Sequence, residues 1–151
     1  MGKSNIKYCS FVEYPNAIVL KEIIDLYITI FKDADIKFFK ERLKQKENTL
    51  CVLAHSGDTL IGFKIGYPYN ETSFYSWIGG VKSSYRQQGI ATQLAEMQEE
   101  YAKENGFIKL RTKSMNQYKS MMIFNLKNGF DITKFYTNTN GQTKIVFEKL
   151  L

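Results

Sequence analysis

The segment Val81-Lys-Ser-Ser-Tyr-Arg-Gln-Gln-Gly-Ile-Ala-Thr92 carries the residue types needed to hold a phosphate. An apolar, glycine-containing run, Trp77 to Val81, leads into it, and an amphipathic helix over 88–105 is expected to follow. The first amides of a helix have no carbonyl partner, and the helix dipole adds positive potential there. A strand that ends in such a turn is therefore a place to bind an anion. Gly89 and Ala91 remove side-chain bulk, so an anion can approach the backbone, and Arg86 adds a full charge. A ligand-free strand-to-helix turn uses the same Gly and Ala, and Arg86 then is a surface charge. Both readings stay open at this point.

The elements that position this turn follow from periodicity. Ile6 to Glu13 reads as a strand stopped by Pro15-Asn16. Over 17–31, Leu20, Ile23, Ile24, Tyr27, Ile28 and Phe31 fall on one helical face. Asp33 or Asp35 is the expected cap of a second helix, with Ile36, Phe39 and Leu43 inward. Strands are expected over 49–55 and 60–67, joined by Ser56-Gly57-Asp58, and again over 73–81. Gly79-Gly80 in the last of these marks a bulge or a close approach by a ligand. After the helix over 88–105 come a strand over 107–112 and a helix over 116–127 with Met121, Met122 and Leu126 as core residues. Two strands follow, over 130–136 and 144–149. The order β-α-α-β-β-β-α-β-α-β-β predicts one α/β (α+β) domain over 1–151, a mixed sheet with helices on its faces.

Composition agrees with a folded globule. Hydrophobic residues make up 44% and aromatics 15% of 151 residues, with no low-complexity tract or internal repeat. No apolar run approaches a membrane span, and Met1 to Lys7 lack a signal-peptide segment, so the expected location is cytoplasmic. Gly2 does not make a myristoylation pattern, because position 6 is Ile. Cys9 and Cys51 read as buried small hydrophobes, with no zinc spacing around them. The net charge of +6 suits an anionic ligand. The lysines are scattered, and Lys37, Lys40, Lys44 and Lys46 read as a solvated helix face rather than a nucleic-acid patch.

Arg86-x-x-Gly89-x-Ala91 after a strand resembles the pyrophosphate loop of the GCN5-related N-acetyltransferases. A second block, Asn116-Gln-Tyr-Lys-Ser-Met-Met-Ile-Phe-Asn-Leu-Lys-Asn-Gly-Phe130, resembles the fourth-helix motif of that family. The resemblance is specific over about 77–130 and architectural before that. It implies an acyl-CoA N-acyltransferase fold: a mixed, mostly antiparallel sheet of about seven strands flanked by about four helices. It further implies acetyl-CoA as acyl donor, no metal, and direct attack of an amine on the thioester. The amides of Gln87, Gln88, Gly89, Ile90, Ala91 and Thr92 would lie at the pyrophosphate. The backbone of Gly80 and Val81 would flank the pantetheine arm, and Asn116 would bond its amides; the other reading of Asn116 is a helix cap.

Many members place a Tyr four residues before the Gly of the Gly-Phe pair, as a donor to the leaving sulfur. Here that position is Asn125, which can donate N–H but not a proton. Glu71 is the candidate base, against a solvated loop carboxylate, and His55 reads as an exposed turn residue. Tyr67, Tyr69, Phe74, Tyr75 and Trp77 pack the sheet, and one or two of these rings could line an acceptor pocket. The expected partner is a small-molecule or peptide amine, with neither nucleic acid nor membrane, and a homodimer through the C-terminal strands is compatible with the sequence. The competing reading is a non-catalytic acyl-CoA-binding regulatory domain of the same fold.

Overall fold

Among the described residues, seven strands and four helices occur in the expected order. They are β1 (Ile6–Val12), α1 (Ala17–Ile30), α2 (Ile36–Gln45), β2 (Leu50–Ser56), β3 (Thr59–Pro68), β4 (Ser73–Val81), α3 (Ile90–Glu104), β5 (Lys109–Met115), α4 (Lys119–Lys127), β6 (Asp131–Thr137) and β7 (Thr143–Leu150). A single 3-10 turn, Ser83–Tyr85, stands between β4 and α3. The computed structural model describes residues 5–151; Gly2, and with it the myristoylation pattern, lies outside them. The strands form one sheet in the order β1-β2-β3-β4-β5-β7-β6. Every neighbouring pair is antiparallel except β4 and β5, which are parallel.

Helices cover both faces. Asn16 caps α1 by accepting the Val19 amide at 2.9 Å, and Asp35, not Asp33, caps α2 by accepting the Phe38 amide at 3.0 Å. The two helices bury Ile23, Tyr27, Phe39 and Leu43 against Phe63 and Ile65 of β3. On the opposite face Ile90 and Leu94 of α3 pack with Val52, Ile61, Phe74 and Val81. Gly62 makes that second contact close: a Cβ there would lie 3.2 Å from Ile90 and 3.3 Å from Leu94.

Several expectations need correction. Cys51 is buried, but Cys9 is exposed, because β1 is an edge strand. Ile28 is 46% exposed, off the buried stripe of α1. In α4 the expected core residues Met121 and Leu126 are 39% and 49% exposed, and Asn125 is the buried residue instead. The inward positions are Tyr118, Met122 and Asn125, spaced four and three apart as one helical face requires. The helix sequence is apolar on nearly every side, so its pattern carries no phase.

Two residues of β3 have testable consequences. A Cβ on Gly66 would stand 2.5 Å from Cε1 of Phe74 and 2.7 Å from the Tyr75 carbonyl. Gly66→Ala is therefore expected to cost about 1–3 kcal/mol of stability, read by urea unfolding. Lys64 runs alongside Gly79 in the sheet, and burial pushes its amine down to about 8 from 10.5. Below pH 8 the folded chain carries the full penalty of that charge. Between pH 8 and 10.5 the folded amine is neutral while the unfolded one is still protonated, so stability rises with pH. Lys64→Met should raise the melting temperature at pH 7, and the gain should shrink through that window.

Candidate functional site

β4 and β5 begin as a parallel pair and then separate. Their ladder has three registered pairs and ends at Tyr75 opposite Arg111, although β4 continues to Val81 and β5 to Met115. The Thr112 hydroxyl donates to the Ser76 carbonyl at 2.7 Å and closes the base of the opening. Beyond it, the facing edges of residues 76–81 and 112–115 have no strand between them. A β-bulge at Trp77, between Ile65/Gly66 and their partners, bends β4 where the opening starts.

The loop leading to α3 stands at the far end of β4. Lys82 donates to the Ile61 carbonyl at 2.7 Å, and the 3-10 turn follows. Gln87 has φ 64° and Gly89 has φ 79°, both left-handed. These reversals turn successive amides to one side, as in an anion-binding nest. Gln93 donates to Gly89 O at 3.0 Å, and among the described residues none of the amides from Gln87 to Thr92 meets a carbonyl at hydrogen-bond geometry. A Cβ built on Gly89 finds no protein atom beyond its chain neighbours within 4 Å, so the space above the helix terminus is open. Gln87, Gln88, Gly89, Ala91 and Thr92 are exposed, whereas Ile90 is buried and anchors the helix. The arrangement offers a set of unpaired donors at a helix N-terminus, beside an open split in a sheet.

Arg86 is more than a surface charge: its Nε donates to the Val81 carbonyl at 3.2 Å and braces the loop on the strand end. The two strand glycines answer to protein neighbours. A Cβ on Gly80 would lie 2.8 Å from Ile30 of α1, and one on Gly79 would lie 2.9 Å from the Phe63 carbonyl.

Asn116 does not cap α4. The helix starts at Lys119, because Tyr118 donates its amide to Met115 O at 2.9 Å and forms a turn first. The Tyr118 hydroxyl fastens that turn to Asp33 at 2.9 Å. Asn116 is exposed on the turn, directly after β5. Asn125 is buried, and its carbonyl accepts the Phe130 amide at 3.0 Å. Glu71 is exposed in the β3–β4 turn. His55 is half-buried, not exposed, with Nε2 3.5 Å from Glu22. Among the described residues no group of three or more His, Cys, Asp or Glu is placed to hold a metal, and no helix is long and apolar enough to cross a membrane.

The α2 face of the split holds a constellation that the sequence pattern did not single out. Arg42 donates to the Tyr67 hydroxyl from Nε and Nη2 at 3.0 and 2.6 Å. Its guanidinium carbon lies 5.3 Å from the Trp77 ring centre and 5.8 Å from that of Tyr75. Burial pushes the Tyr75 phenol up to about 12, against the opposing pull of Arg42. Arg111 stacks on Tyr69 at 4.9 Å and Lys113 donates to the Tyr136 hydroxyl at 2.9 Å, which holds that phenol below its usual range. The aromatic run over 67–77 was visible in the sequence, and Tyr67, Tyr69, Tyr75 and Trp77 do share this face. Phe74 points the other way, edge-on to Tyr101 and Phe107.

Comparison with solved structures agrees with this architecture. A GNAT family acetyltransferase from Elizabethkingia anophelis with acetyl-CoA bound superposes with a TM-score of 0.78 at 20% identity, over 99% of this chain and 100% of that one. An aminoglycoside 6'-N-acetyltransferase complexed with coenzyme A gives 0.75 at 18% identity, over 95% and 96% of the two chains. The ribosomal-protein-S18-alanine N-acetyltransferase from Escherichia coli gives 0.74 at 15% identity, over 94% of each. At these identities the likeness is one of fold. Among curated proteins no sequence matches. The model of the Acetyltransferase (GNAT) family, however, matches residues 19–125, which include the split strands, the nest, α3 and α4 as far as Asn125. Fold, loop and sequence match converge, and the chain belongs to the GNAT acetyltransferase family.

Proposed function

We propose that this protein is an acetyl-CoA-dependent N-acetyltransferase that acts on a primary amine of a small molecule or peptide. The observation that carries the reading is the row of unpaired amides from Gln87 to Thr92 beneath open space at Gly89. Such a nest fits a pyrophosphate, and the free edges of β4 and β5 fit an extended amide-bearing arm, so the residues present suit coenzyme A. Bound acetyl-CoA supplies an activated acyl thioester. The nest amides and Arg86 hold the diphosphate end, the backbone of Gly80 and Val81 flanks the arm, and Asn116 offers an amide side chain beside the same split. The Val81 carbonyl is already engaged by Arg86, so its amide is the available group.

The chain's contribution to the chemistry is placement and polarity. The amine nitrogen bonds to the acyl carbon as the C–S bond breaks. Asn125 is our candidate donor to the departing sulfur: it is buried in α4, and its amide can donate hydrogen bonds. The amine proton leaves to water. Glu71, exposed in the β3–β4 turn, is our candidate carboxylate to receive that proton through water. A non-catalytic acyl-CoA-binding domain remains the second reading, favoured by Asn where many relatives carry Tyr. We further read residues 1–151 as one domain, cytoplasmic, with the open β6 edge available to a second copy.

The test is incubation with acetyl-CoA and a panel of primary amines. Products are read by mass spectrometry, since exposed Cys9 would react with thiol reagents. Acetylated amine supports the enzyme, and coenzyme A binding without any product supports the regulatory domain. Arg86→Ala removes both the charge and the brace on Val81. It should weaken acetyl-CoA binding about tenfold in calorimetry. It should also lower the unfolding free energy by about 0.5–1.5 kcal/mol, for the lost bond to the Val81 carbonyl.

A further inference from the structure

The α2 face beside the split is cationic, and its central cation lacks a carboxylate partner. Arg42 has no carboxylate within 4.0 Å among the described residues, and its Nη1 makes no hydrogen bond. The carboxylate of this cluster, Glu148, is already shared by Lys109 at 3.2 Å and Arg111 at 3.4 Å. Even so, the Arg111 Nε is buried and donates to nothing. Trp77 and Tyr75, two of the rings around Arg42, are β4 residues at the point where the β4–β5 ladder ends. Arg42 therefore borders the split on this face.

We propose, building on the acetyl-transfer reading, that the acceptor amine also carries a carboxylate, and that Arg42 receives it. A guanidinium offers paired N–H donors in the geometry of a carboxylate, and its flanking rings exclude water and strengthen the contact. The same field works against a polyamine, because Arg42, Arg111 and Lys113 repel further cations. It also disfavours the ammonium form of the bound acceptor, which helps to present the neutral nucleophile without a dedicated base.

Leucine, leucinamide, a tetrapeptide with acidic side chains, its neutral amide counterpart and spermidine form the test set, each with acetyl-CoA. Trp77 is the single tryptophan and lies against Arg42, so its fluorescence with coenzyme A present reports docking independently of turnover. The carboxylate forms should exceed their amide counterparts by at least about tenfold in kcat/KM and should alone shift the Trp77 signal. Arg42→Gln should bring the ratio of carboxylate to amide kcat/KM close to one, and Arg42→Lys should restore part of the preference. Preference for leucine identifies a small amino acid as the source of the carboxylate, and preference for the peptide identifies an acidic chain. Equal or better use of the amides or spermidine, no response to any carboxylate, or a preference that survives Arg42→Gln overturns the proposal, provided calorimetry shows coenzyme A binding intact. A wild type that binds no coenzyme A refutes the acetyl-transfer reading itself, and this inference with it.

Discussion

Gly89→Trp is expected to lower the affinity for acetyl-CoA by more than about 100-fold, since several charge-assisted amide contacts worth about 1.5–3 kcal/mol each would be lost. The glycine has φ 79°, and a side chain there would project into the open space above the amides of 87–92. Apart from its chain neighbours, no protein atom lies within 4 Å of that Cβ, so the substitution fills the proposed anion site without a clash at Cβ. Its stability cost is the left-handed backbone alone, about 1–2 kcal/mol. Gly57 provides a matched control in the β2–β3 turn, with φ 60° and equally open surroundings. Calorimetry should show Gly57→Trp binding like wild type with a similar loss of melting temperature. Parallel weakening of both variants would mean that strain, not occupation of the loop, is being measured.

Phe39→Ala should cost about 3–5 kcal/mol in urea unfolding, the range for truncating a fully buried aromatic. Phe39 has no exposed surface, and its ring centre lies 4.7 Å from that of Tyr27 and 5.1 Å from that of Trp77. It ties α1, α2 and β4 together directly behind the Arg42 cage. The preceding residue, Phe38, is 53% exposed on the same helix. Phe38→Ala should cost under about 1 kcal/mol, so this adjacent pair separates packing from composition.

Much of this architecture was legible because the hydrophobic period changes sharply at element ends. The strand over 73–81 follows from its aromatic-rich run, and the α1 stripe of Ile23, Ile24 and Tyr27 from helical spacing. The nest was legible for a different reason: a helix whose N-cap is Gly89, with no side-chain cap, leaves its amides free. Its physical basis was only partly foreseen. Gly89 serves its left-handed φ as much as its small size, while Gly79 and Gly80 are explained by Phe63 and Ile30.

What the sequence concealed depends on contacts between distant segments. The start of α4 slipped three residues because Met115 O captured the Tyr118 amide and Asp33, 85 positions away, captured its hydroxyl. Apolar residues on nearly every side of that helix hid the burial of Asn125. Arg42 looked like one more charge among Lys37, Lys40, Lys44 and Lys46. Those lysines are exposed, whereas Arg42 turns inward to Tyr67, 25 positions ahead. No local pattern encodes that turn, because strand register and helix docking bring the rings to it.

The most direct test of the central claim is the backbone amide spectrum of isotopically labelled protein, recorded as coenzyme A is added. The account predicts that the largest shifts fall on Gln87 to Thr92, with further shifts at Gly80, Val81 and residues 112–116 along the split. Binding that shifts other amides and leaves 87–92 unmoved would contradict it.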